Sequence, residues 1–257
     1  MRDEREVDGS WASFQTHTFA EPSPELAPFI GRYWIVRWDL RGQEPYRQLV
    51  TPYPQVHLSF MDDEPGRVNG VVRGHAFRTL AGEGRVIGAA FRPGGFRPFL
   101  GRALSTITDR VIAAEAVFGS DATGLPDVDD KDLVRSVEAL LRRHLPERDP
   151  TAERVAEIVA LVEAEPGLTS VEALAGRTGL GVRTLQRLFA DYVGVSPKWV
   201  IRRYRLHGVT ERLAAGRAVD WGVLAAELGY ADQAHLSRDF RAIFGESPTS
   251  FARRYPL

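Results

Sequence analysis

Two short stretches near the C-terminal end carry the side chains best suited to recognising another molecule. The first holds Arg183, Thr184, Gln186 and Arg187; the second holds Gln233, His235, Ser237 and Arg238. A guanidinium is a planar fork of donors that fits guanine O6 and N7, and a carboxamide pairs likewise with adenine N6 and N7. Each such pair discriminates by about 1–3 kcal/mol. Between them, Lys198, Arg202 and Arg203 are cations that phosphate oxygens would accept. The competing reading of every one of these residues is a solvated side chain, and only their placement can decide between the two. A second set, Trp34, Trp38, His57, Phe91 and Arg92, lies in the N-terminal half with Phe60, Phe96 and Phe99. These residues either contact a small ligand or fill a core. His57 and His75 are expected to be structural, and the turn at residues 92–95 is read as an ordinary turn.

Catalytic chemistry is poorly represented. With no cysteine, thiolate nucleophiles, thiolate metal sites and disulfides are excluded. Gly82-x-Gly84 lacks the third glycine of a dinucleotide fingerprint, and no phosphate loop, His-Glu-x-x-His or Gly-x-Ser-x-Gly occurs. Nor is there a His-x-His pair with a later Glu, which a metal-binding barrel would need. The expectation is a non-enzyme without cofactor or metal.

The elements that must position these side chains fall into two kinds. At 257 residues, 44% hydrophobic and 26% charged, the chain has apolar material for two domains. Residues 11–19, 32–40, 55–61, 70–78 and 85–92 are short runs rich in Val, Ile, Phe, Tyr and Trp, with turn residues between them. Their regular spacing favours an antiparallel barrel or sandwich. Residues 24–30 and 95–100 read as short helices. After about residue 105 the pattern changes, and residues 132–145 place apolar side chains at helical spacing. The stripe 133–141 either pairs with a second subunit or covers the barrel, and prolines 146 and 150 mark a linker. The expected domains are 1–148 and 151–257. Residues 1–11 are charged, without a signal peptide's apolar core, and no run approaches the roughly 18 apolar residues of a membrane span. The cytoplasm is the expected compartment, with no membrane contact.

Charge is unevenly divided. The net charge is −1, yet the segment from residue 177 onward has thirteen basic and seven acidic residues, leaving +6 there and −7 elsewhere. An internal repeat occupies the same region. Leu174, Ala175 and Gly179 recur 50 residues later as Leu224, Ala225 and Gly229. Leu185, Arg187, Phe189, Gly194, Ser196 and Pro197 recur 51 residues later, from Leu236 to Pro248. The single added residue lies between Gly229 and Leu236, which marks a turn between two conserved helices. Thr169 with Glu172 fits a capping box, Asp220 a cap, and Gly179 and Gly229 fit positive-φ helix ends. Ser196-Pro197 opens a helix running to about residue 215 and stopping at Gly216. Its roughly 19 residues span just under 30 Å, a useful strut when successive major grooves lie about 34 Å apart.

These motifs resemble the AraC/XylS transcriptional regulators over residues 152–257. The likeness rests on Leu185-x-Arg187-x-Phe189, Gly194-x-Ser196-Pro197, Ala225-x3-Gly229-Tyr230-x-Asp232-Gln233-x2-Leu236-x-Arg238-x-Phe240, Phe244-Gly245-x-Ser247-Pro248 and Phe251-x2-Arg254. It implies a seven-helix double helix-turn-helix domain that binds double-stranded DNA, with RNA polymerase as a partner. Gly181 departs from the serine cap the family prefers, and Trp221 replaces a smaller aliphatic residue. The fold class expected is therefore α+β: a β-barrel-like (cupin-like) sensory domain followed by an all-α DNA-binding domain. In this reading a small-molecule effector acts through the first domain, and a homodimer is possible. The alternatives are a ligand-independent regulator whose first domain only dimerises, or a small-molecule carrier or enzyme with a helical support.

Overall fold

The computed structural model describes residues 13–62, 64–124, 128–214 and 219–252. Eight strands precede the main helices: β1 (Gln15–Ala20), β2 (Ile30–Leu40), β3 (Tyr46–Val50), β4 (His57–Met61), β5 (Arg67–Asn69), β6 (Ala76–Leu80), β7 (Gly82–Phe91) and β8 (Val111–Ala113). They form an antiparallel six-stranded sheet, β1-β2-β7-β4-β5-β8, and a separate β3–β6 ribbon. Among the described residues no closed barrel forms, because β1 and β8 remain sheet edges. Central β7 is buried from Val86 to Phe91, as a strand covered on both faces must be.

Two glycines set the packing of β2 on β7. Trp34 lies opposite Gly88 and Trp38 opposite Gly84. A Cβ at Gly88 would come within 2.2 Å of the Trp34 ring, and one at Gly84 within 2.3 Å of the Trp38 ring. The indoles therefore lie directly on the β7 backbone. Phe91, fully buried, packs edge-on against Phe96 and Phe99.

The expected strand at 70–78 is instead a loop followed by β6. A Cβ at Gly70 would sit 1.9 Å from the Ile107 carbonyl oxygen, so the chain passes too closely there to carry side chains. Residues 24–29 form hydrogen-bonded turns, in place of the helix expected over 24–30, before β2 begins at Ile30. The helix expected near 95–100 is present as α1 (Arg97–Leu100), and α2 (Glu115–Phe118) follows β8.

Helix α3 (Asp130–Arg143) starts at Asp129, whose carboxylate accepts from the Asp132 N–H. Leu133, Val137, Leu140 and Leu141 are buried in the chain's own core, so the stripe covers this chain and not a second subunit. Arg37 pairs with Asp130, and Arg85 donates to the Val128 carbonyl, fastening the helix over the sheet. Seven helices follow: α4 (Pro150–Ala164), α5 (Val171–Thr178), α6 (Val182–Tyr192), α7 (Pro197–Ala214), α8 (Trp221–Glu227), α9 (Gln233–Phe244) and α10 (Pro248–Ala252). One apolar cluster runs from Leu26 through to Phe251, joining sheet and helices. Trp38 belongs to a smaller second cluster with Val36, Leu40, Tyr46, Leu80 and Val86.

His57 has a structural partner. The Trp34 Nε1–H donates to its Nδ1 at 3.2 Å, so Nδ1 is an acceptor and the ring is neutral. Burial, reinforced by the nearby Arg32 charge, lowers its pKa from 6.5 to about 4. The unfolded chain then binds a proton near pH 6.5 that the folded chain refuses until about pH 4, so stability falls as pH drops through that window. We expect acidification from pH 7 to pH 5 to cost the wild type about 2 kcal/mol at this site. In His57→Gln most of that increment should vanish, as read from urea unfolding at both pH values.

Candidate nucleic-acid interface

Each repeat is a helix, a tight turn and a second helix, and its ends follow from local chemistry. The first pair is α5 and α6. Ser170 caps α5 through its hydroxyl, which accepts from the Ala173 N–H at 3.1 Å. The cap is thus one residue later than the Thr169 box predicts, and the Thr169 methyl lies against Gly229 instead. Gly179 closes α5 at φ +68°. The second pair is α8 and α9. Asp220 caps α8 through the Gly222 and Val223 N–H groups, Gly229 turns at φ +67°, and Asp232 caps α9 through the His235 N–H. The added residue does fall in this second turn, leaving both helix pairs intact.

The inner face of each second helix is apolar. Leu185 and Phe189 on α6, and Leu236 and Phe240 on α9, are fully buried. That leaves Arg183, Gln186 and Arg187 exposed and Thr184 half-buried on α6, with Gln233, His235 and Arg238 exposed and Ser237 half-buried on α9. Arg187 and Arg238 form no ion pair with any described residue. The His235 ring sits edge-on to Tyr230 at 5.0 Å. Helix α7 connects the pairs; Ser196 caps it at Trp199, and its 18 residues extend about 27 Å. Its expected stop, Gly216, and the motif residue Arg254 lie outside the described residues.

The three cations on α7 separate into different roles. Lys198 is exposed. Arg202 is half-buried and reaches Asp239 of α9 at 3.4 Å, so it ties the strut to the second pair. Arg203 departs from the phosphate reading altogether: it is only 1% exposed. Its Nε donates to the Pro52 carbonyl, and its guanidinium lies 4.1 Å from the Tyr53 ring centre and 5.4 Å from that of Phe244. Spacing carried the signal, since Arg203 falls three or four residues from Trp199, Val200 and Leu206 on the buried stripe. Arg205, not singled out by the sequence, donates to the Leu228 carbonyl and stacks over Tyr230.

Further contacts join sheet to helices. Thr108 donates to the Gly194 carbonyl, Arg97 pairs with Asp191, and the Trp199 indole donates to the Arg73 carbonyl at 2.8 Å. Tyr192 donates to Asp149 at 2.9 Å, the residue that caps α4. His75 packs against Gly245, where a Cβ would approach its ring to 2.8 Å. In the turn at residues 92–95, Gly94 adopts φ +84° with no room for a side chain against Ala152.

Two cavities open beside the proposed ligand residues. One, of about 450 Å³, is lined by Arg92 together with sheet and helix residues. The other, of about 650 Å³, is lined by Trp38 with Arg37, Asp39, Glu83 and Arg85. Trp34, His57 and Phe91 line neither cavity; they belong to the packing described above. Among the described residues no cluster of metal-ligating side chains occurs, and no helix is long and apolar enough to cross a membrane.

Residues 174–254 match a family model described as a helix-turn-helix domain, and residues 18–113 match a domain of unknown function, DUF6597. The HTH-type transcriptional activator RhaS of Escherichia fergusonii is 34% identical over 114 residues, 43% of this chain. The chain spans 40% of the length of that curated relative. A probable AraC family transcriptional regulator from Rhodopseudomonas palustris is 26% identical, with TM-score 0.35, over 39% of this chain and 94% of that one. Apo ToxT K231A from Vibrio cholerae is 12% identical, with TM-score 0.43, over 87% and 97%.

The capping difference between the repeats can be measured. Asp232→Ala should destabilise the protein by about 1 kcal/mol, with Asp232→Asn close to wild type. Gly181, at φ −66° and without a cap side chain, should give the opposite result. Gly181→Ser should add a few tenths of a kcal/mol, all read from denaturant midpoints at constant m.

Proposed function

We propose that this chain is a sequence-specific transcriptional regulator of the AraC/XylS type, which binds double-stranded DNA through both repeats of the region that matches a helix-turn-helix domain at residues 174–254. The observation that carries the reading is the pairing of Arg187 with Arg238. They stand at equivalent repeat positions, on second helices whose opposite faces are locked into the core, and neither forms an ion pair with an acid among the described residues. An unpaired surface guanidinium is available for a base edge at no cost in broken ion pairs. Gln186 and Gln233 supply carboxamides beside them, and Lys198 supplies a phosphate contact.

In this reading the DNA-binding domain is residues 151–257, and residues 1–148 form a regulatory domain responding to a small molecule in the cytoplasm. Support for the second part comes from the open cavities beside Arg92 and Trp38, and from the many contacts by which the sheet grips α6 and α7.

Genome-wide mapping of bound sites supplies the operator. On that duplex, Arg187→Ala and Arg238→Ala should each lose about 1–3 kcal/mol, roughly 5- to 150-fold, while random duplex changes far less. Titrations over a salt series separate the outcomes. Equal loss on both duplexes, with a shallower salt slope, would reduce the two arginines to phosphate contacts.

A further inference from the structure

The cavity between sheet and helices has a distinct composition. Its sheet side is lined by Arg32 of β2, Gln55 before β4 and Arg92 after β7; its helix side, by Glu163 of α4 with Tyr204 and His207 of α7. Two guanidiniums and a carboxamide therefore oppose one carboxylate, a phenol and an imidazole across about 450 Å³. Neither arginine forms an ion pair among the described residues: Arg92 donates to the Ala27 carbonyl, and Arg32 lies 5.2 Å from the Phe19 ring centre.

A buried cation adjoins this space. Arg203 precedes Tyr204, lies under the Tyr53 ring that also lines the cavity, and has Nη1 buried without a hydrogen-bond partner. No carboxylate forms an ion pair with it among the described residues. Three guanidiniums thus share a small region with Glu163, which favours an anion bearing a donor of its own.

Resting on the regulator reading, we propose that this seam cavity is the effector site and that it takes a small hydroxy acid or amino acid. The carboxylate binds between Arg32 and Arg92, and a hydroxyl or ammonium group donates to Glu163. Such a ligand contacts the sheet and α7 at once. Since α7 is the strut between the two reading pairs, occupancy fixes the strut against the sheet and changes DNA affinity.

The test uses the full-length protein with D-gluconate and L-glutamate as probes at millimolar concentration, against sodium chloride of equal ionic strength and the neutral polyol sorbitol. At least one acid should raise Tm by about 2–4 °C over both controls and shift operator affinity several-fold. Arg92→Gln removes an exposed cation, and Ala160→Trp fills the cavity from an exposed wall position; both should abolish the shift. Arg102→Gln, exposed and outside the cavity, should retain it. Circular dichroism checks each fold, and if Ala160→Trp unfolds, Arg92→Gln decides. No acid-specific shift, or one that survives in the folded cavity variants, overturns the proposal. Continued operator binding by the same samples would show that the seam assignment alone had failed, whereas loss of specific binding without any ligand would tell against the regulator reading itself.

Discussion

The arrangement of the two halves turns on a guanidinium taken out of water. Arg203 cannot lose its proton, and burial depresses its pKa without neutralising it. Isolated charges in a protein interior cost several kcal/mol unless hydrogen bonds and neighbouring charge offset them. Here the compensation comes from the Pro52 carbonyl, the faces of Tyr53 and Phe244, and the nearby Glu163 charge. Pro52 and Tyr53 belong to the loop before β4, whereas Phe244 closes α9. One side chain on the strut therefore touches both the sheet region and the second reading pair. Separating the halves would return its charge to water, which offsets part of the apolar area lost.

The helical half was largely legible because its signals are local. Repeat spacing, positive-φ glycines and cap residues all act within a turn or two of chain, and the observed ends at Gly179, Asp220, Gly229 and Ser196 follow from them. The Thr169 error has the same origin: two adjacent hydroxyl residues can both cap, and tertiary packing of the Thr169 methyl on Gly229 selects Ser170. Arg203 was misread for a different reason. Residue type pointed to phosphate, while its position on the apolar stripe of α7 pointed inward, and position decided.

In the sheet half, strand existence was readable from β-branched and aromatic runs, but partners were not. β5 and β8, at three residues each, are too short to announce themselves, β3 is interrupted by Arg47 and Gln48, and a remote carbonyl at Ile107 leaves no room for a side chain at Gly70. The aromatic residues show what could have been extracted. Trp34 and Trp38 are four apart, and so are Gly84 and Gly88. In an antiparallel register those equal spacings place each indole on a bare stretch of backbone. Trp34, a ligand candidate by residue type, is by its spacing a packing residue, whereas Trp38 both packs on the backbone and borders the cavity of about 650 Å³. The lining of the seam had no such pattern, because its members are drawn from five separate segments.

The polarity of the contacts on the reading helices completes the mechanical argument. On α6 the sheet region holds Asp191, near the C-terminal end, and Gly194 just beyond it, while Tyr192 is fastened to the cap of α4. On α9 the corresponding grip falls at Phe244 and Gly245, through Arg203 and His75. Neither grip reaches the first turns, where Arg183 and Gln186, or Gln233 and His235, stand exposed. A helix in the major groove presents its N-terminal residues to the bases, so under the proposed regulator function, holding each rod by its far end keeps the base-facing end clear.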